Sequence, residues 1–191
     1  MHYFKPKTDK DMAEEKKEKW MNFLALSTVI FAVCATLSTF KGGGYGSKAL
    51  LNKTNASDNW SYFQAKSIKS SLTKNQKDNL ELQKEVIAQT PNLKNEIPKY
   101  DAKIAKYEKD VKRYELEKDS ISAVAKAFEN AIVDCQKHGA GFGYAVIYLQ
   151  VSILLSSIAG LMKKKPVWYL SLAVGAFGIF YFLDGFFLFL K

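Results

Sequence analysis

Three stretches of this chain, Trp20 to Phe40, Phe142 to Met162 and Val167 to Leu190, carry almost no charge, and each has at least twenty residues. At 1.5 Å per residue, a helix of that length crosses a hydrocarbon core of roughly 30 Å. Irregular backbone exposed to lipid would leave its polar groups unpaired, so such runs must be helical. The region between the first two runs has the opposite character, being dense in lysine and glutamate. A mean composition close to that of a soluble protein therefore hides two solvents. The first run is too long to read as the apolar core of a cleaved signal peptide, and Cys34 follows Val33 where a lipoprotein processing site needs a small residue.

Within the charged region, Tyr100, Ile104, Tyr107, Val111, Tyr114, Lys118, Ile121, Ala125, Phe128, Ile132 and Cys135 follow one another at alternating steps of four and three. Such a heptad seam buries its stripe only against another helix. Upstream, Ser47 to Gln89 reads as a first helical arm with Leu51, Trp60, Phe63, Ile68, Leu72, Leu82 and Val86 as its apolar stripe. Pro91 and Pro98 break the helix between the arms, because each lacks a backbone donor and biases the residue before it away from helix. Both arms lead back to a membrane-length run. The expected fold is therefore an all-α membrane protein with three transmembrane helices and a long antiparallel coiled-coil hairpin between the first and second. Its expected segments are a cytoplasmic tail (1–19), a first span (20–40), a glycine hinge (41–46), an extracytoplasmic hairpin (47–138), a second hinge (139–141), a second span (142–162), a cytoplasmic turn (163–166) and a third span (167–190).

Orientation follows from short lysine-rich loops, which stay in the cytoplasm, whereas segments longer than about sixty residues translocate largely regardless of charge. Lys163, Lys164 and Lys165 form one such loop, and the tail ahead of Trp20 carries six lysines. Both belong on the cytoplasmic side, with the hairpin across the membrane. Trp20, Tyr45, Tyr144, Trp168 and Tyr169 lie near the run boundaries, where amphipathic rings favour the headgroup level. The net charge of +9 is spread along the arms beside nearly as many acids, as on the solvated faces of a coiled coil, so nucleic acid is not an expected partner.

Chemistry is sparse. Asp184 is the one acidic residue inside a run. It reads either as a possible intramembrane polar site, bonding Ser156, Ser157 or Gln150, or as a partly hydrated interfacial residue six positions before Leu190. Cys135 and His138 share a helical face but lack companions for a tetrahedral metal site. No serine elbow accompanies His138. Neither cofactor nor metal is expected, and the chain reads as nonenzymatic. Glycines 42, 43, 44 and 46, and then 139, 141 and 143, read as pivots or as points of close backbone approach.

The stretch from Lys53 through Ala56-Ser57-Asp58-Asn59-Trp60 to Gln64-Ala65-Lys66 and Lys69 resembles the signature of a bacterial membrane family, domain of unknown function 4337. The Glu18-Lys19-Trp20 approach to the first run and the closing pair of apolar runs extend the likeness over most of the chain. The resemblance implies a bacterial membrane protein and transfers no catalytic residue. Physically, Asp58 suits a helix N-terminus, Trp60 and Phe63 are large anchors, and Gln64 and Lys66 suit pairing across the hairpin near Phe128 and Ile132.

Three successive tyrosines make the seam wide, which points to several hairpins bundling. The function expected from these readings is a homo-oligomeric bacterial inner-membrane protein, in contact with membrane lipids, whose periplasmic stalk serves assembly or binds an envelope protein partner. The alternative is a small oligomeric ion channel or transporter component.

Overall fold

The computed structural model describes residues 9–190, with side chains from residue 19 onward. The side chains of Lys16 and Lys17, and His2 altogether, lie outside the described residues. Helix α1 spans Asp9–Ala88, a 3-10 helix spans Pro91–Glu96, α2 spans Ile97–Met162 and α3 spans Lys165–Phe187. Each α-helix contains a stretch long and apolar enough to cross a membrane.

The break between α1 and α2 falls where the prolines require it. Thr90 is extended, Pro91 opens the 3-10 helix, and Pro98 occupies the first turn of α2, where a missing donor is harmless. The second break is tighter. Lys163 adopts φ 53°, its N–H reaches Gly160 O at 3.4 Å, and the Lys164 N–H reaches Ala159 O at 3.2 Å. That is a left-handed helix ending of the kind glycine usually supplies, here made by lysine, and Pro166 then starts α3. By contrast, both glycine clusters are helical throughout, and no described glycine has positive φ. Helix α1 therefore has no N-terminus near Asp58, and the dipole role expected of that carboxylate does not apply.

Two compact units share these helices: residues 1–49 with 133–191, and residues 50–132. In the first, Phe31 and Ala35 of α1, Ala145 and Leu149 of α2, and Leu172, Ile179 and Phe182 of α3 pack together. Helix α3 is notched by glycines that receive large side chains. Gly175 faces the Phe31 ring, and a Cβ at Gly178 would stand 2.7 Å from Leu149 Cγ. At Gly141 a Cβ would stand 2.8 Å from the Cα of Gly185, so α2 and α3 touch through their backbones. Small residues permit this approach of one backbone to another.

The second unit consists of the two arms. They run antiparallel: Trp60 Nε1 donates to Glu129 Oε1 (2.8 Å), Ser70 Oγ donates to Glu115 Oε1 (2.7 Å), and Lys84 Nζ pairs with Asp101 Oδ1 (2.5 Å).

Candidate functional site

The hairpin seam is where the second unit concentrates its chemistry. Every residue of the α2 stripe lies on the less exposed side of its helix. Ile121, Ala125 and Cys135 are buried, and Tyr100, Ile104, Tyr107, Val111, Tyr114, Lys118, Phe128 and Ile132 are half-buried. What meets this stripe differs from the expected apolar face of the first arm. Asn52, Ala56 and Ser70 are buried, and Phe63, Lys66, Thr73, Lys77, Leu80, Lys84 and Ile87 are half-buried. With the half-buried Asn59 these positions also follow steps of four and three, but most are polar. Leu51, Ile68, Leu72, Leu82 and Val86, expected in the seam, point outward and are 57–66% exposed. Hydrophobicity marked a stripe correctly but assigned it the wrong neighbour.

A tyrosine face suits a lysine face. The Lys66 ammonium lies 5.6 Å from the Tyr114 ring centre and 5.3 Å from that of Tyr62, and it pairs with Glu117 Oε2 at 2.5 Å. Lys118 lies 5.7 Å from the Phe63 ring centre and donates to Glu115 Oε2 at 2.8 Å. Each lysine thus lays its alkyl stem along the seam and delivers its charge to an aromatic face and a carboxylate. The hydrogen bond to Glu117 raises the Lys66 pKa, and the same bond holds Glu117 below its ordinary value. Glu115 is lowered first by Lys118 and then by the Ser70 hydroxyl.

The signature residues divide between two sides of α1. Ala56 is buried, Trp60 and Lys66 are half-buried, and Ser57, Asp58, Gln64 and Ala65 are exposed. Trp60 packs edge-on to Phe63 (centres 5.5 Å apart) while its indole N–H takes Glu129, one residue beyond Phe128. Lys66 is the pivot of the seam network. This arrangement closes a helical hairpin. The chain belongs to the family described as Domain of unknown function (DUF4337), whose model matches residues 20–188. No curated protein and no solved structure matches it.

In this DUF4337 chain the first unit holds a second group of polar side chains. Asp184 is only 5% exposed, so it is not the partly hydrated residue its position suggested. Its carboxylate accepts the Leu190 N–H at 2.7 Å, and its carbonyl accepts the Leu188 N–H at 2.7 Å where Leu188 turns left-handed. Asp184 thus fastens the end of its own helix. The serines expected beside it are engaged elsewhere: Ser156 shares a 2.9 Å hydrogen bond with Ser171, and Ser157 donates to Ile153 O. Ser152 donates to Ser171 O at 2.6 Å, and Trp168 Nε1 donates to Ser27 Oγ at 3.2 Å, so hydroxyls join α2 to α3 and an indole joins α3 to α1.

His138, a residue considered as metal ligand and as catalytic base, has its Nδ1 2.8 Å from Gly185 O. A carbonyl only accepts, so Nδ1 carries the proton in this contact. The Tyr45 ring stacks on the imidazole at 4.7 Å and 11°. Three helices are therefore fastened where Gly141 meets Gly185. The signal available in sequence was the pairing of His138 with the neighbouring glycines, which local spacing alone does not connect to α3. Among the described residues, no group of three or more His, Cys, Asp or Glu side chains gathers as metal ligands would.

Proposed function

We propose that this protein is a nonenzymatic, homo-oligomeric, multi-pass protein of a bacterial inner membrane, with its N-terminus in the cytoplasm and a periplasmic coiled-coil stalk that organises the assembly or binds an envelope protein. The observation that carries this reading is the division of labour in the arms. Their polar groups are spent on one another across the seam, while large apolar side chains of the first arm face outward. An outward apolar face on a charged helix is a surface for another helix. The three apolar helices and the exposed Lys163–Lys165 turn support the membrane threading.

Light scattering of the purified protein in detergent tests the assembly. A mass of two or more chains is expected, and a monomer at micromolar concentration overturns the reading. Threading is tested separately with a Lys94→Cys variant lacking Cys34 and Cys135, since Lys94 is exposed in the 3-10 helix. With the outer membrane permeabilised, a membrane-impermeant maleimide should label it in intact cells. Labelling only after lysis of the inner membrane inverts the topology.

A further inference from the structure

The outward face of the first arm has a pattern of its own. Ile68, Leu72, Asn75, Asn79, Leu82 and Val86 are separated by alternating steps of four and three, and all are exposed. At 3.6 residues per turn this stripe lies roughly 150° around α1 from the seam positions that face the second arm. Between Ile68 and Val86 seven residues are charged, namely Lys69, Lys74, Lys77, Asp78, Glu81, Lys84 and Glu85, and none falls on the stripe. Solvation alone gives no reason to exclude charge from one face of so charged a helix. A second helical neighbour does.

We infer that this stripe is a second seam, occupied by the same stripe of another copy of the chain in a parallel, in-register pair. The inference rests on the membrane reading above and specifies the surface through which the oligomer forms. Two copies threaded the same way through one membrane present their first arms in the same sense, so an arm-to-arm contact about a two-fold axis is parallel. In that register Leu72, Asn79 and Val86 take one core position of the heptad, and Ile68, Asn75 and Leu82 the other. Asn79 then meets its own copy across the axis. Asn75, at the other core position, meets its copy too, and an asparagine in a helical core satisfies its amide only when paired, which fixes register at some cost in stability. The flanking positions agree: Asp78 of one copy falls opposite Gln83 of the other, and Ser71 opposite Gln76, so no like charges are forced together. The outer faces of the second arm do not offer a comparable stripe, because Lys103, Lys106, Glu108, Lys112 and Asp119 stand on them.

Cysteine cross-linking of the full-length protein in its own membranes tests this. In a background lacking Cys34 and Cys135, Leu72→Cys, Asn79→Cys and Leu82→Cys should each form a disulfide with itself on mild oxidation. They should do so about tenfold faster than Lys74→Cys, roughly 120° around α1 from the stripe, because only side chains that meet across a seam satisfy disulfide geometry. Equal rates at all four positions overturn the inference. Independently, Leu72→Lys with Leu82→Lys should reduce the mass in detergent to that of a monomer. Helical content should stay unchanged, since both side chains are more than half exposed within one chain. An oligomer whose mass survives both substitutions refutes this seam while leaving the homo-oligomer standing. A monomeric wild type removes both.

Discussion

The helices pack in two different ways in the two units. In the unit formed by residues 1–49 and 133–191, contact is made by removing side chains: Gly141 against Gly185, Gly178 beneath Leu149, Gly175 beneath Phe31. In the unit formed by residues 50–132, contact is made by lengthening them, with Lys66 laid against Tyr114 and ending on Glu117, and Lys118 against Phe63 and ending on Glu115. The difference fits the competitor each composition suits. Each helix of the first unit is apolar enough to cross a membrane, and lipid competes well for apolar groups, which favours close van der Waals contact and buried hydroxyl bonds. Water competes well for charge, so the arms gain from covering apolar stems while leaving the charged ends partly wet.

The comparison breaks most readily at its tightest point. Replacing Gly185 with leucine should destabilise the first unit by about 3 kcal/mol, because the new side chain meets the Phe142 ring and the backbone of α2 together. Gly143→Leu should be nearly neutral within the chain, as a Cβ there meets nothing within 4 Å. Denaturant titration followed by Trp20 and Trp168 fluorescence distinguishes the two; equal effects would mean that the glycine notches do not set the packing. A smaller contrast concerns hydroxyls. Ser171→Ala should cost about 1 kcal/mol, since Ser156 loses its partner in a buried place. Ser70→Ala should cost less, because water can replace the Ser70 hydroxyl at the half-exposed Glu115 carboxylate. Reversal of that order would overturn the solvent argument.

Sequence carried three helices long and apolar enough to cross a membrane, the break at Pro91 and the less exposed side of α2, because each depends on a property of one helix: length without charge, a missing donor, or period 3.5. It did not carry the α1 face of the seam. Lys66, Ser70 and Lys84 have no apolar signal, and their place follows from tyrosines and carboxylates on another helix. Of the three seam tyrosines, Tyr114 is met by Lys66 of its own first arm. The leftover surface lies at Leu72 and Leu82. The burial of Asp184 was illegible for a related reason: rise per residue puts it near the end of its helix, where it is, but only the turn at Leu188 and the returning Leu190 N–H enclose it.

The turn at Lys163 gives a stabilising prediction. A left-handed lysine carries a steric cost that glycine avoids, so Lys163→Gly should raise the stability of the first unit by about 1 kcal/mol, read as a higher Tm in detergent. The arms, joined through Pro91–Glu96 without a positive φ, offer no corresponding gain. A fall in Tm would show that the lysine side chain contributes more than its backbone costs.

The smallest effect expected is the pH dependence of the seam. Glu117 is held below its ordinary value of 4.5 by the hydrogen bond from Lys66, and Lys66 is held above its ordinary 10.5 by the same bond. A lowered carboxyl pKa adds stability that is fully present above 4.5 and disappears as pH falls through the folded value. A raised ammonium pKa adds stability that is fully present below 10.5 and disappears as pH rises through the folded value. The pair therefore holds the arms across the whole range between and weakens at both extremes, modestly, because Glu117 is partly exposed and salt screens it. With Trp20 and Trp168 replaced by phenylalanine, Trp60 reports the arms alone. Its thermal transition should fall on acidification below 4.5 in the parent. With Glu117→Gln the fall should be shallower, the remainder belonging to Glu115 and Glu108, which are lowered by Lys118 and Lys112. An acid response unchanged by Glu117→Gln would mean that the lysine–tyrosine contact, and not the carboxylate beyond it, is what joins the arms.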